Sequence, residues 1–225
     1  MKLLIDDANI ARIKAIYKHY PIDGVTTNPT ILKKCGGNPH EVLAEIRDFI
    51  GREAQLHVQV VSTTAEEMVS EGKKIPSTFG KNTYIKIPST PEGFAAMQVL
   101  SADGYLVTAT AIYTPMQAYL AAKSGANYAA PYVNRIDNLG AGGVETTKII
   151  QNIFKNNGFS TEILAASFKN SQQVQALCEY GIGAATIAPD VIEGLVRNAC
   201  VTSAVADFTK DFEKLCGEGK TTLDF

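Results

Sequence analysis

Lys86 sits in the run Thr83-Tyr84-Ile85-Lys86-Ile87-Pro88, whose apolar neighbours leave an ammonium little access to water. Burial favours the neutral amine, and a neutral amine is a nucleophile toward carbonyl carbon. Six other polar residues occupy equivalent places: Asp6, Asn28, Gln59, Thr110, Tyr132 and Ser167 each lie at or near the end of a short β-rich run. Successive residues of a strand face opposite sides, so the apolar set of each run fixes which phase meets the surrounding helices. Leu3 and Ile5 oppose Asp6; Val25 opposes Thr26 and Asn28; Leu56, Val58 and Val60 oppose His57 and Gln59; Ile85 and Ile87 oppose Lys86; Val107 opposes Thr108 and Thr110. A lone polar residue in a strand is ordinarily a satisfied core group, and a lone lysine ordinarily snorkels or forms a structural ion pair. Polar groups from seven strands on one phase and at one end instead predict a shared mouth around an amine.

The elements that position such a mouth are eight β-rich runs, near 2–6, 24–28, 55–61, 83–87, 104–110, 127–133, 161–167 and 183–187, each followed by a helical stretch. Helix starts are marked by Asn38-Pro39 with Glu41, Thr64 with Glu67, Thr90-Pro91, and Thr114-Pro115 with Gln117. These are N-cap residues with Pro at the first helical position or a capping-box acceptor three residues on. Continuous β-to-α alternation implies parallel strands with helical crossovers, and eight units favour a closed (β/α)8 TIM barrel over an open sheet. In such barrels the C-terminal strand ends carry the active site.

Residues 1–200 account for the barrel as one catalytic domain. The segment 201–225 adds a further helix, with apolar Val201, Ala204, Val205, Phe208, Phe212 and Leu215 on one stripe. That face must be buried on the barrel or on a neighbouring subunit. Gly140-Ala141-Gly142-Gly143 alone is a weak phosphate signal and reads as a flexible loop.

A formal charge of −2 with interspersed signs offers neither a basic stripe for nucleic acid nor a polybasic patch for a membrane. The first apolar run is too short for a signal core or a membrane span, so a cytoplasmic location is the expectation. Cys35, Cys178, Cys200 and Cys216 have no metal-type spacing and read as reduced, structural thiols. His19, His40 and His57 form no close pair, so no metal is expected, and carbonyl chemistry at an amine requires no organic cofactor.

Four motifs resemble the transaldolase family, and within it the small fructose-6-phosphate aldolase branch, over essentially the whole chain. They are Gly24-Val25-Thr26-Thr27-Asn28-Pro29, Tyr84-Ile85-Lys86-Ile87-Pro88, Ala130-Pro131-Tyr132-Val133-Asn134-Arg135 and Ala165-Ala166-Ser167-Phe168-Lys169. The resemblance implies that Lys86 is the Schiff-base lysine, that Asp6 and Asn28, in the same motif as Thr26, hold substrate hydroxyls, and that Arg135 with Ser167, assisted by Lys169, holds a phosphate. A guanidinium with paired donors suits that task.

Many transaldolases resemble this chain except for Glu at Gln59, Phe at Tyr132 and Ser at Ala130, and at all three positions this chain has the aldolase set. Gln59 and Thr110 are then expected to position a water and Tyr132 to relay a proton. His57 departs from the branch, where an apolar aromatic is common. The resemblance also implies sugar-phosphate and small aldehyde or ketone substrates, and a homo-oligomer, a pentamer or decamer. Two rival functions share these residues: a transaldolase that passes the three-carbon unit to an acceptor aldose, and a non-catalytic barrel that only binds a sugar phosphate.

Overall fold

A computed structural model, describing residues 1–224, shows each β-rich run ending a few residues before a helix. The first half comprises β1 (Lys2–Asp6), α1 (Ile10–Tyr17), β2 (Gly24–Thr26), α2 (Pro29–Cys35), α3 (Pro39–Ile50), β3 (Gln55–Gln59), α4 (Ala65–Phe79), β4 (Thr83–Pro88) and α5 (Pro91–Ala102). The second comprises β5 (Val107–Ile112), α6 (Pro115–Lys123), β6 (Tyr128–Pro131), α7 (Val133–Asn138), α8 (Gly143–Asn156), β7 (Glu162–Ala165), α9 (Ser171–Tyr180), β8 (Ala184–Ile187), α10 (Pro189–Gly194) and α11 (Ala199–Cys216). The strands pair in parallel in sequence order, and β8 returns to β1 to close the barrel.

Apolar residues of the outward phase, among them Ile5, Val25, Leu56, Ile85, Ile87, Val107, Ile163 and Ile187, join helix residues such as Ile13, Ile46, Met68, Leu100 and Phe154 in one core between barrel and helices. Leu4, Tyr128, Ala130, Leu164 and Ala184, on the other phase, form a separate cluster inside the barrel. Two phases therefore make two cores, as the alternation requires.

The caps form where the residue types predict. Thr64, Thr90 and Thr114 each accept a hydrogen bond from the third residue of the helix they precede, and Thr114 with Gln117 completes a capping box. Such caps each contribute about 1 kcal/mol, and all three lie on the loops that follow strands, so they fix the strand ends. Helix α5 approaches β4 so closely that a Cβ at Gly93 would lie 1.9 Å from the Pro88 carbonyl oxygen. Only glycine allows that helix to seat against the end of the strand carrying Lys86.

The structure departs from the sequence reading in four places. Several strands are shorter than the β-rich runs, and β5 is displaced: residues 104–106 are outside it and it continues to Ile112. The loops after β2 and β6 contain extra short helices, α2 and α7, which are too brief to announce themselves by periodicity. The glycine run is not a free loop, because Gly143 opens α8, where a Cβ would lie 2.0 Å from the Val133 carbonyl oxygen. All four cysteines are free and exposed, so none packs the core.

The predicted last helix is α11, and it carries no buried residue: Val201, Val205, Phe208 and Leu215 are all exposed. Residue 225 of the segment 201–225 lies outside the described residues. Among the described residues, no helix is long and apolar enough to cross a membrane.

Candidate active site

Lys86 projects inward from β4, and its Nζ donates to the Thr27 carbonyl oxygen at 2.8 Å in a buried setting. The residue is 5% exposed. Burial is the main cause of a pKa below the ordinary lysine value; the Asp6 carboxylate opposes that fall and the Arg135 guanidinium adds to it. Asp6, at the end of β1, is shifted the other way, above the usual carboxylate range, first by burial and with Lys86 and Thr26 pulling it back. Each group is thus biased toward its neutral form by the same low-dielectric interior, and each holds the other partly charged. An amine that is neutral for part of the time beside a carboxyl that can carry a proton can attack a carbonyl and manage the water that leaves.

Asp6 is held from the side. The Thr26 hydroxyl donates to Asp6 Oδ1 at 2.7 Å and lies 2.6 Å from the Thr186 hydroxyl, which leaves Thr186 as the donor in that second contact. These bonds cross the barrel interior, confirming that Thr26 faces inward. Gln59 is the register partner of Lys86 on the adjacent strand. Among the described residues its side-chain amide bonds to no protein group, so both its donors and its acceptor are available to a water or a substrate.

On the opposite wall, the Thr110 hydroxyl and the Tyr132 phenol are 2.8 Å apart. Tyr132 has the aromatic ring of Tyr113 edge-on at 5.6 Å between centroids and the Arg135 guanidinium over its face at 4.6 Å. The neighbouring Tyr113 side chain also favours the charged guanidinium and raises the pKa of Arg135. Helix α7, which carries Arg135, is anchored by Asp137, whose carboxylate accepts from the Gly143 amide at 2.6 Å and from the Gln173 side chain at 2.6 Å. A guanidinium on so braced a helix is aimed before any ligand arrives.

Asp6, Asn28, Arg135 and Ser167 line one cavity of 490 Å³ at the mouth, together with Asp7, Arg12, Lys34 and Asp190. Arg135 and Lys34 supply cationic charge there, whereas Arg12 is paired with Asp7 at 3.2 Å. Asn28 uses its Oδ1 to cap α2, accepting from the Ile31 amide at 3.0 Å, which leaves both Nδ2 protons free to donate to a ligand. Ser167 holds a left-handed backbone, φ 62°, which costs a non-glycine residue on the order of 1–3 kcal/mol. Such strain is retained where the direction of the side chain matters.

Lys169 does not join this group. Its amide donates to Gln173 Oε1 at 2.8 Å at the start of α9, and its side chain is not among those lining the cavity.

His57 lies below the mouth, fully buried, stacked on Tyr84 with 4.5 Å between centroids. Gln55 donates its amide to the Tyr128 phenol at 3.2 Å and so turns its oxygen to His57 Nε2, also at 3.2 Å. That assigns the ring proton to Nε2 and leaves Nδ1 to accept from Thr108 Oγ1 at 3.0 Å. Burial, then Lys86 and Arg47, hold its pKa well below the ordinary histidine value. The departure from the branch pattern at this position is therefore a neutral floor beneath Lys86, one layer removed from the cavity.

Sequence reasoning missed three residues that act here: Thr27, whose carbonyl receives Lys86; Thr186; and Ser89, which is described below. Thr186 was accessible to the same phase argument, since it stands between outward Ala185 and Ile187. Thr27 acts through its backbone, which residue type does not reveal.

Comparison with known proteins agrees with this arrangement. Residues 3–219 match the family model described as Transaldolase/Fructose-6-phosphate aldolase. A probable transaldolase of Nitrosopumilus maritimus (strain SCM1) is 37% identical over 219 residues, covering 97% of each chain. A probable transaldolase of Thermodesulfovibrio yellowstonii is 38% identical over 96% of this chain and 99% of the relative. A probable fructose-6-phosphate aldolase of Streptococcus pneumoniae is 38% identical over 94% of this chain and 96% of the relative. With an unbroken match of this length at this identity, the chain belongs to the transaldolase/fructose-6-phosphate aldolase family.

Proposed function

We propose that this member of the family is a Schiff-base aldolase that cleaves fructose 6-phosphate to dihydroxyacetone and glyceraldehyde 3-phosphate. The neutral Lys86 amine attacks the C2 carbonyl to give a carbinolamine, and loss of water gives a protonated imine. The C3–C4 bond then breaks, its electron pair moving into the iminium while the C4 hydroxyl gives up its proton, and glyceraldehyde 3-phosphate leaves. The enamine takes a proton at C3, and water hydrolyses the imine to free dihydroxyacetone and regenerate Lys86. Asp6 serves the carbinolamine steps, Tyr132 carries the C4 proton, and Gln59 with Thr110 holds the hydrolytic water. Asn28 and Asp6 receive the hydroxyls of the three-carbon end, while Arg135 and Ser167 receive the phosphate.

The observation that carries this reading is a buried lysine with a lowered pKa on β4, with a bonded Thr110–Tyr132 pair at the ends of the next two strands. The second reading, a transaldolase, is favoured by two of the relatives above, both described as probable transaldolases. Chemistry up to cleavage is common to both, and the fate of the enamine separates them. The unpartnered Gln59 amide and the Tyr132 phenol offer water a polar place beside the imine, which favours hydrolysis. Incubation with fructose 6-phosphate and no acceptor is expected to release free dihydroxyacetone over many turnovers. Release of no more than one equivalent until erythrose 4-phosphate is added would assign the chain to the transferases.

The exposed apolar stripe of α11 supports a homo-oligomer, a pentamer or decamer in which segment 201–225 packs on the barrel of a neighbour. Deleting 201–225 is expected to shift sedimentation to smaller species. A ring of undiminished size would refute that packing. Phosphorylated substrates and four exposed free thiols fit a cytoplasmic enzyme.

A further inference from the structure

Strand β5 breaks its own alternation. Thr108 and Ala109 pair with Tyr128 and Ala129 of β6, but the next pairing is Ile112 with Pro131, so β5 contains one extra residue. Ala111 absorbs it with a left-handed backbone, φ 56°, a conformation that glycine ordinarily supplies in such a bulge. Without the extra residue, Thr110 and Ile112 would share a face and Ile112 would point into the mouth. With it, Thr110 stays inside, fully buried and bonded to Tyr132, while Ile112 joins the core outside the barrel.

The bulge is held from β4. The Ser89 amide and the Ser89 hydroxyl both donate to the Thr110 carbonyl oxygen, at 2.9 and 3.0 Å. Ser89 is itself buried and stands three residues beyond Lys86 on the same strand end. On the far side, the Tyr132 amide donates to the Ile112 carbonyl oxygen at 3.1 Å, so both ends of the bulged stretch are tied.

We propose that Ala111 and Ser89 are positioning residues: the left-handed bulge and its double clamp set the Thr110 hydroxyl against Tyr132 and fix that pair relative to Lys86. Neither residue needs to touch substrate. The inference rests on the proton-relay reading of Tyr132 given above and adds the backbone device that aims it. A β-branched side chain at 111 resists the left-handed region, whereas glycine enters it freely.

The test is a double-mutant cycle on the full-length protein, with kcat, KM and borohydride trapping of dihydroxyacetone on Lys86 as readouts. Ala111→Val is expected to lower kcat for fructose 6-phosphate cleavage by about 30-fold, with KM held within about threefold and Lys86 still trapped. In a Tyr132→Phe background the same change is expected to cost no more than about threefold further, because the pair it aims is already broken. Ala111→Gly is expected to restore kcat to within about threefold of the parent. Should Ala111→Val fail to fold, Ser89→Ala asks the same question: about a tenfold loss of kcat in the parent and little in Tyr132→Phe.

Losses that multiply in full across the two backgrounds, or a glycine variant as poor as the valine one, would overturn the positioning role while leaving the relay intact. A Tyr132→Phe enzyme with parental turnover would remove the relay itself, and the device with it.

Discussion

Lys86→Met is expected to remove carbon–carbon cleavage, by a factor on the order of 10⁵ in kcat, while leaving the barrel at least as stable as the parent. The first half follows from chemistry: a thioether cannot form an imine, and no second lysine stands within the buried interior. The second half follows from linkage. A lysine whose folded pKa is lowered binds fewer protons folded than unfolded between that lowered value and about 10.4, its value in an unfolded chain. Its contribution to stability therefore rises with pH through that window and is least favourable on the acid side. Methionine removes that cost, and a neutral-pH melting temperature equal to or above the parent's is the expected reading. The same shift predicts that imine formation rises as pH climbs through the lowered pKa, at lower pH than for an exposed lysine. A variant that is inactive because it has unfolded would lose both properties together. A purely sugar-phosphate-binding barrel would have no turnover to lose.

Gln59→Glu combined with Tyr132→Phe is expected to lower hydrolytic release of dihydroxyacetone by roughly 10²–10³ and to leave transfer to an added aldose far less affected. Tyr132 has only Thr110 as a hydroxyl partner within the protein, and Gln59 has no protein partner among the described residues, so the substitutions disturb what they do for substrate and water. With phenylalanine, the Thr110 hydroxyl loses its partner at 2.8 Å and the water loses one side of its cradle. A glutamate at 59, register partner of Lys86, would add a carboxylate that can take the C4 proton in place of the phenol, so cleavage and transfer persist while the hydrolytic water loses its place. An unchanged ratio of release to transfer would contradict the roles given to both residues.

The barrel was legible because its signals are independent of one another. Caps at Thr64, Thr90 and Thr114 placed helix starts, and the apolar phase of Ile5, Val25, Leu56 and Ile85 placed the outward face. The same phase put Asp6, Lys86 and Thr110 on the inner face, where Asp6 and Lys86 interact electrostatically and Thr110 bonds Tyr132. What was not legible works through backbone. Thr27 acts by its carbonyl, Asn28 spends half its amide on a helix cap, and the Ala111 bulge inverts the strand's phase without any residue type announcing it. Short helices such as α7 span too few residues for a 3.6-residue period to register, although α7 aims Arg135. For His57, alternation gives face but not depth. Its partners Gln55 and Thr108 place it one layer below the chemistry.

Every step above depends on a covalent bond at one nitrogen. Incubating the protein with dihydroxyacetone and borohydride, followed by peptide mass mapping, is expected to find one reduced three-carbon unit on Lys86 and on no other lysine. Full turnover of fructose 6-phosphate by an enzyme whose Lys86 stays unmodified, or the adduct on a surface lysine instead, would contradict the account.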